Sequence, residues 1–386
     1  MKQAMNTLRS DSLGELRQDR FRPDLLTLAR MSRGMTQKDL AAAADISQST
    51  VSRLEEQATP SDPQLARLAT ALGYPPSFFF QPDPVYGFGV GELFHRRRKT
   101  MSTRALNAVH AEMNVGMMAT RRLLKAIDPN PVDLPIVETE GPPAGPCEAA
   151  RALRARWLVP PGPVKSVAEL LDRAGILAIP FESVPPEVDA IGIWPVGLPP
   201  LIFFNPRVPQ DRLRLTLVHE VAHFVLHSGW GLALGPEIEN EANRFAAEFL
   251  VPAADAVPQL RQVTLAKLAS LKRHWRVSMA ALLVRAKELG GITPRRYQAL
   301  WTEMGKLGYR TKEPTSLDVT GEEPGSTFNE ILRLHLEELV YSPEELAQMT
   351  HLLPHEFIER FLGGTAGPRP LITAPTPAPR RLAAVR

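Results

Sequence analysis

Apolar positions recur every three to four residues along most of the chain. They predict a largely helical protein interrupted by one block of short strands. From Pro23 the helices are short: Asp24–Arg30, Thr36–Ala43, Ser47–Glu55 and Pro63–Leu72, the last stopped by Gly73 and Pro75. Thr36 followed by Asp39 is a capping-box variant, Ser47 is placed to cap the third helix, and Asp45-Ile46 makes the turn between them. Leu40, Ala44, Ile46, Val51 and Leu54 are the expected core of this module, with Phe78, Phe79 and Phe80 packing against it. A longer helical pattern runs from Ser102 to Ile127, with Leu106, Val109, Met113, Met117 and Leu124 at core spacing. It reads as a connector or as the seam of a homodimer.

Two amphipathic helices, Cys147–Leu158 and Ser166–Ala174, precede three apolar blocks that read as strands: Ile176–Phe181, Ala190–Trp194 and Pro200–Asn205. If the third lies at a sheet edge beside the candidate metal site, an extended peptide could pair with it; otherwise it is a fully covered strand. Leu217–His227 and Glu237–Leu250 follow as helices, and more helices fill 263–310. Leu265–Lys272 and Ser278–Ala286 have a helix-turn-helix outline, but Ala281, Leu282 and Leu283 leave few polar positions, so bundling is expected there.

Proline, glycine and charge mark the boundaries. The expected segments are a flexible N-terminus (1–22), a small helical domain (23–80), and a stretch of basic segment, connector helix and Pro-rich linker (81–146). They continue with an α+β domain carrying a helical bundle (147–310), a linker (311–327), a small helical unit (328–362) and a disordered Pro/Ala-rich tail (363–386). Cys147 is the only cysteine, which excludes an internal disulfide and a thiolate zinc site. No apolar run approaches a membrane span, and Met1–Asn6 lacks the apolar core of an export signal, so a cytoplasmic protein is expected. The net charge is only +3, but residues 1–128 hold 18 Lys and Arg against 13 Asp and Glu, which makes this third the basic one. The run from His95 to Lys99 adds charge suited to phosphates.

The candidate chemistry lies in His219-Glu220-Val221-Ala222-His223. Residues four apart share a helix face, so His219 and His223 can hold one zinc ion. Glu220 sits about 100° round the helix, off the metal but close enough to act as general base on the attacking water. On the next helix Glu239 is the third ligand, completing a His₂Glu set, and Asn243, one turn on, can hydrogen-bond a ligand histidine from outside. His227 extends the histidine row as an outer group, while Glu241 and Glu248 fall on other faces and are expected in solvent. Gly229 stands where a metzincin would need its third histidine, which excludes that pattern. Arg207 is a candidate for stabilising the transition state.

His219-Glu220-Val221-Ala222-His223, followed by the run from Glu239 through Asn243 to Pro252, resembles the ImmA/IrrE metallopeptidases over about Gly145 to Pro314. The resemblance implies a gluzincin-like fold, metal ligands His219, His223 and Glu239, general base Glu220, and a transcriptional repressor or antitoxin-like regulator as substrate. Upstream, Met35–Ala41 with Ile46–Glu55 resembles the Cro/repressor type of helix-turn-helix (the XRE family) over 23–80. Gln48, Ser49 and Thr50 are placed for base edges, with Gln37, Ser52 and Arg53 for bases or phosphates. Asp45 stands where that family usually has glycine, at a position that needs positive φ.

These readings combine into a multidomain protein: an all-α helix-turn-helix domain, then an α+β gluzincin-like zinc peptidase domain with helical C-terminal extensions. The expected function is a nucleoid-associated, stress-responsive regulator that binds a double-stranded DNA operator and cleaves a protein substrate. It would use one Zn2+ per chain, with Mn2+ as another candidate, and no membrane. The alternative is a transcription factor whose zinc fold senses a metal, peptide or small ligand without proteolysis.

Overall fold

A proline at its first position and an acidic first turn open α1 (Pro23–Ser32) in the computed structural model. The structure describes residues 20–86, 102–127, 130–135, 145–181, 188–227, 236–317 and 326–363. The expectations for residues 1–19, the basic run 95–99, most of the loop 228–236 and the tail beyond 363 therefore lie outside the described residues. The described residues up to Leu123 and from Tyr341 onward form one unit, and those from Leu124 to Val340 form a second.

In the first unit the reciprocal Thr36–Asp39 cap starts α2 (Gln37–Ala43), and the Ser47 hydroxyl accepts from the Thr50 amide to start α3 (Gln48–Glu56). Asp45 makes the turn between them at φ 50°, the left-handed region its sequence position required. α4 (Asp62–Leu72) ends at Gly73, φ 64°, and a 3₁₀ turn at Pro76–Phe80 buries Phe78 and Phe79. Leu40, Ala44, Val51 and Leu54 are buried as expected, whereas Ile46 is only half-buried.

α5 (Thr103–Leu123) differs from both expectations for it. It is neither a connector nor a seam but an internal helix of the first unit, buried on nearly every side. The apolar stripe marks one face only; the polar residues are covered too because each finds a partner. Asn114 accepts from the Tyr86 amide at 2.8 Å, and Glu112 accepts from Arg360 at 2.6 Å.

In the second unit, the stretch read as a linker packs where it is described. Leu134 is buried, and the Asp133 amide donates to the Ala174 carbonyl at 3.0 Å. Helices α6 (Pro146–Arg156) and α7 (Val167–Arg173) lead to β1 (Leu177–Pro180), β2 (Ala190–Ile193) and β3 (Leu201–Phe204). The sheet order is β1-β3-β2, with β1 parallel and β2 antiparallel to β3. The third strand is thus central, not an edge. Four consecutive apolar residues, all buried, are what a strand paired on both sides needs. Beside it, β2 is an outer strand among the described residues.

Next come α8 (Gln210–Leu226) and α9 (Pro236–Leu250), which pack against each other. Their apolar residues, including Leu217, Val221, Phe245 and Phe249, join a core with the short α10 (Ala253–Ala256), α11 (Leu265–Trp275), α12 (Met279–Glu288) and α13 (Pro294–Lys306). Leu268, Trp275, Leu282 and Leu283 are buried there, so the second helix-turn-helix outline is a bundle element. Glu248 is not solvated as expected. It is 2% exposed and paired with Arg285 and, at 3.1 Å, with Arg151.

Residues 328–362 do not form one unit. α14 (Ser326–Arg333) belongs with the second, while α15 (Pro343–Met349) and α16 (Pro354–Phe361) complete the first. A buried ionic cluster ties α16 to the helix-turn-helix module. Arg33 donates to Glu356 at 2.7 Å and to the Leu72 carbonyl at 2.6 Å, lies 4.3 Å from the Tyr74 ring centroid, and is 4.0 Å from Glu112. Removing one partner leaves a buried charge uncompensated, at a cost of roughly 3–5 kcal/mol. Glu356→Ala should therefore speed hydrogen–deuterium exchange throughout α5 while leaving α8 and α9 protected. Unchanged exchange in α5 would show that the cluster does not hold the first unit together.

Candidate metal centre and nucleic-acid interface

α8 carries His219 and His223 on one face, and their Nε2 atoms lie 3.1 Å apart. α9 brings Glu239 to them, with Oε2 at 3.5 Å from His219 and Oε1 at 3.7 Å from His223. A tetrahedral ion with bonds of about 2.1 Å holds its donor atoms about 3.4 Å apart. Glu239 turns one oxygen toward each histidine, and with one ligand atom per residue all three lie within 4.8 Å of one another, so two imidazoles and a carboxylate converge as a zinc donor set does. All three side chains are half-buried, which keeps the cluster reachable from solvent.

Burial, then the neighbouring His219, disfavours charge on His223 and pushes its pKa well below the usual imidazole value. Burial acts against charge on His219, but hydrogen bonds it donates to Glu239 and Asn243 and the charges of Glu220 and Glu239 outweigh it and raise its pKa. Asn243 thus sits against the ring of His219. His227, at the C-cap of α8, lies against His223: their Nδ1 atoms are 3.0 Å apart. Its Nε2 is 3.1 Å from Glu241. Glu241, expected in solvent, is half exposed but engaged with this histidine.

Glu220 is held by a residue the sequence reading passed over. The Gly192 amide on β2 donates to its Oε2 at 2.7 Å. A side chain at 192 would put Cβ 2.9 Å from Phe224 Cζ and 3.0 Å from Glu220 Oε2, too close for either. An isolated glycine inside a strand signals such a close approach, so the cue was present. For Glu241 there was no local cue, because its partner lies fourteen residues away. Trp194, just past β2, packs edge-on to Phe224 with ring centroids 6.2 Å apart. Arg207 stands exposed in the turn after β3, where its amide donates to Asn205.

In the first unit α3 presents Gln48, Ser49 and Arg53 exposed, with Thr50 and Ser52 half-buried beside them. Gln48 Nε2 donates to Gln37 Oε1 at 2.8 Å, and Gln37 Nε2 donates to Glu55 at 2.8 Å. This chain orients the Gln48 amide at the start of the helix. The Ser52 hydroxyl lies 3.5 Å from Glu56.

Residues 171–287 match the family model of the IrrE N-terminal-like domain, a peptidase family, and residues 26–79 match that of a helix-turn-helix. The first span contains His219, Glu220, His223 and Glu239; the second contains all of α2, α3 and α4. No curated protein and no solved structure matches the chain. The chain therefore joins an N-terminal DNA-binding helix-turn-helix domain of the XRE type to an ImmA/IrrE-like metallopeptidase domain.

Proposed function

We propose that this protein is a DNA-bound regulator whose second domain is a gluzincin-like, zinc-dependent endopeptidase acting on a transcriptional repressor or antitoxin-like protein. The cluster of His219, His223 and Glu239 beside Glu220 carries the reading. Zinc held by these residues would polarise a peptide carbonyl and acidify water. Glu220 takes the proton of the attacking water and passes it to the leaving amine. The Gly192 amide fixes one oxygen of that carboxylate, and Asn243 orients His219. An extended substrate pairs with the outer strand β2, next to Gly192, which replaces β3 as the docking strand. Operator binding through α3, as a homodimer on a palindrome, raises the local concentration of enzyme near a DNA-bound target in the cytoplasm. No described helix is long and apolar enough to cross a membrane.

The peptidase reading is tested by incubating the zinc-loaded protein with regulators encoded beside its gene. Cleavage should stop with a chelator, return with zinc, and fall by about 10²–10⁴ in Glu220→Gln. Equal cleavage by this variant would remove Glu220 as base, and no cleavage of any regulator would favour the sensor alternative. Gly192→Ala should displace the carboxylate and lower kcat by up to about 10²-fold with zinc stoichiometry intact; unchanged kcat would show that the contact does not position Glu220.

For the DNA-binding domain, an operator selected from random duplexes supplies the probe. Gln48→Ala should cost ~1–3 kcal/mol on that site, and Arg53→Ala should reduce the log–log salt slope by about one. Anisotropy titrations at several salt concentrations measure both. Unchanged affinity in the double variant would mean that α3 does not read the operator.

A further inference from the structure

We infer that Glu241 and His227 form a hydrogen-bond relay that fixes the tautomer and ring orientation of His223, which makes both positioning residues for the metal. The inference rests on the metal-centre reading and adds two groups to it. It follows from where protons can sit.

For His223 to offer the Nε2 lone pair to an ion, its ring proton must be on Nδ1. That N–H points at His227 Nδ1, 3.0 Å away, which must then be an acceptor. His227 therefore carries its own proton on Nε2, and that N–H meets Glu241 Oε2 at 3.1 Å. With His223 Nε2 kept free for the ion, every donor in the chain faces an acceptor. The reverse polarity, with His227 donating to His223 Nδ1, moves the His223 proton to Nε2 and blocks the ion. The direction of the relay and the competence of the site are thus one property.

The geometry favours a relay over simple packing. The His223 and His227 rings are tilted by 47° with centroids 5.1 Å apart, so they do not stack, yet their nitrogens stand at hydrogen-bond distance. His219 is served differently, by the neutral amide of Asn243. Among the described residues, His223 is the ligand imidazole linked through another histidine to a carboxylate, which raises its basicity as a ligand. The Glu241 side chain is 48% exposed, so solvent weakens its share and His227 is the stronger link.

The test uses the full chain and zinc itself. Zinc affinity is measured by competition with a chromophoric chelator, Co2+ replaces zinc for visible spectra, and long-range proton–nitrogen correlation on histidine-labelled protein reads the tautomers. Wild type should bind one zinc per chain, with the proton on Nδ1 of His223 and on Nε2 of His227. His227→Leu should weaken zinc binding by about 10–100-fold and alter the Co2+ spectrum. His227→Gln, whose amide oxygen can accept from His223 and whose NH₂ can donate to Glu241, should restore most of the loss. Glu241→Gln, a surface change that leaves the core untouched, should weaken binding less than His227→Leu.

Wild-type affinity in both His227→Leu and Glu241→Gln would overturn the relay, as would a His227 protonated on Nδ1 in the zinc-loaded protein. If His223→Ala binds zinc as well as wild type, the metal-centre reading itself fails. Loss in His223→Ala without loss in His227→Leu overturns the relay alone.

Discussion

The packing of α8 against α9 is the constraint on which the candidate chemistry depends. Two histidines one turn apart on a helix are a local consequence of sequence, but a carboxylate sixteen or twenty residues further on reaches them only if the second helix lies close. Fully buried alanines on both helices, Ala222, Ala242 and Ala246, leave room for that approach. Large apolar groups on either side of them, Leu217 and Val221 on α8 and Phe245 and Phe249 on α9, supply the area removed from water that holds the pair. The polar cluster then sits on the half-exposed side of a pair whose other sides are core. Rigid support with an open face is what a site that must exchange water and substrate requires.

Buried charges do a second kind of work. Lys272 is 1% exposed in its side chain and held between Asp211 at 2.6 Å and Glu313 at 2.7 Å, which links the start of α8 to the segment after α13. Glu248 links α9 to α12 and α6 through Arg285 and Arg151. Arg33, Glu112, Glu356 and Arg360 do the same in the first unit. Such groups add little net stability over an apolar core, yet they penalise any arrangement that separates them. Each joins segments far apart in the chain, so each selects a tertiary pairing rather than a local conformation.

The last of these clusters explains where the C-terminal helices belong. The DNA-binding unit is built from residues on both sides of the peptidase unit, because α16 supplies Glu356 and Arg360 to Arg33 and Glu112. The last helices are therefore part of the DNA-binding unit and not an appendage of the peptidase. A chain shortened before Tyr341 would lose more than a tail: it would strand two buried partners inside the helix-turn-helix unit.

What the sequence alone determined was everything encoded within a turn or two of helix. The Thr36–Asp39 and Ser47 caps, the helical row His219–His223 and the three strand positions all follow from spacing and backbone chemistry, and the family resemblance adds positive φ at Asp45. Tertiary structure decided what depends on partners brought from a distance. β3 became central because β1 and β2 both pair with it, Gly192 met Glu220 across strand and helix, and Glu241 reached His227. Glu248 reads as solvated because polarity is a property of the residue, whereas burial depends on whether a partner arrives to satisfy it.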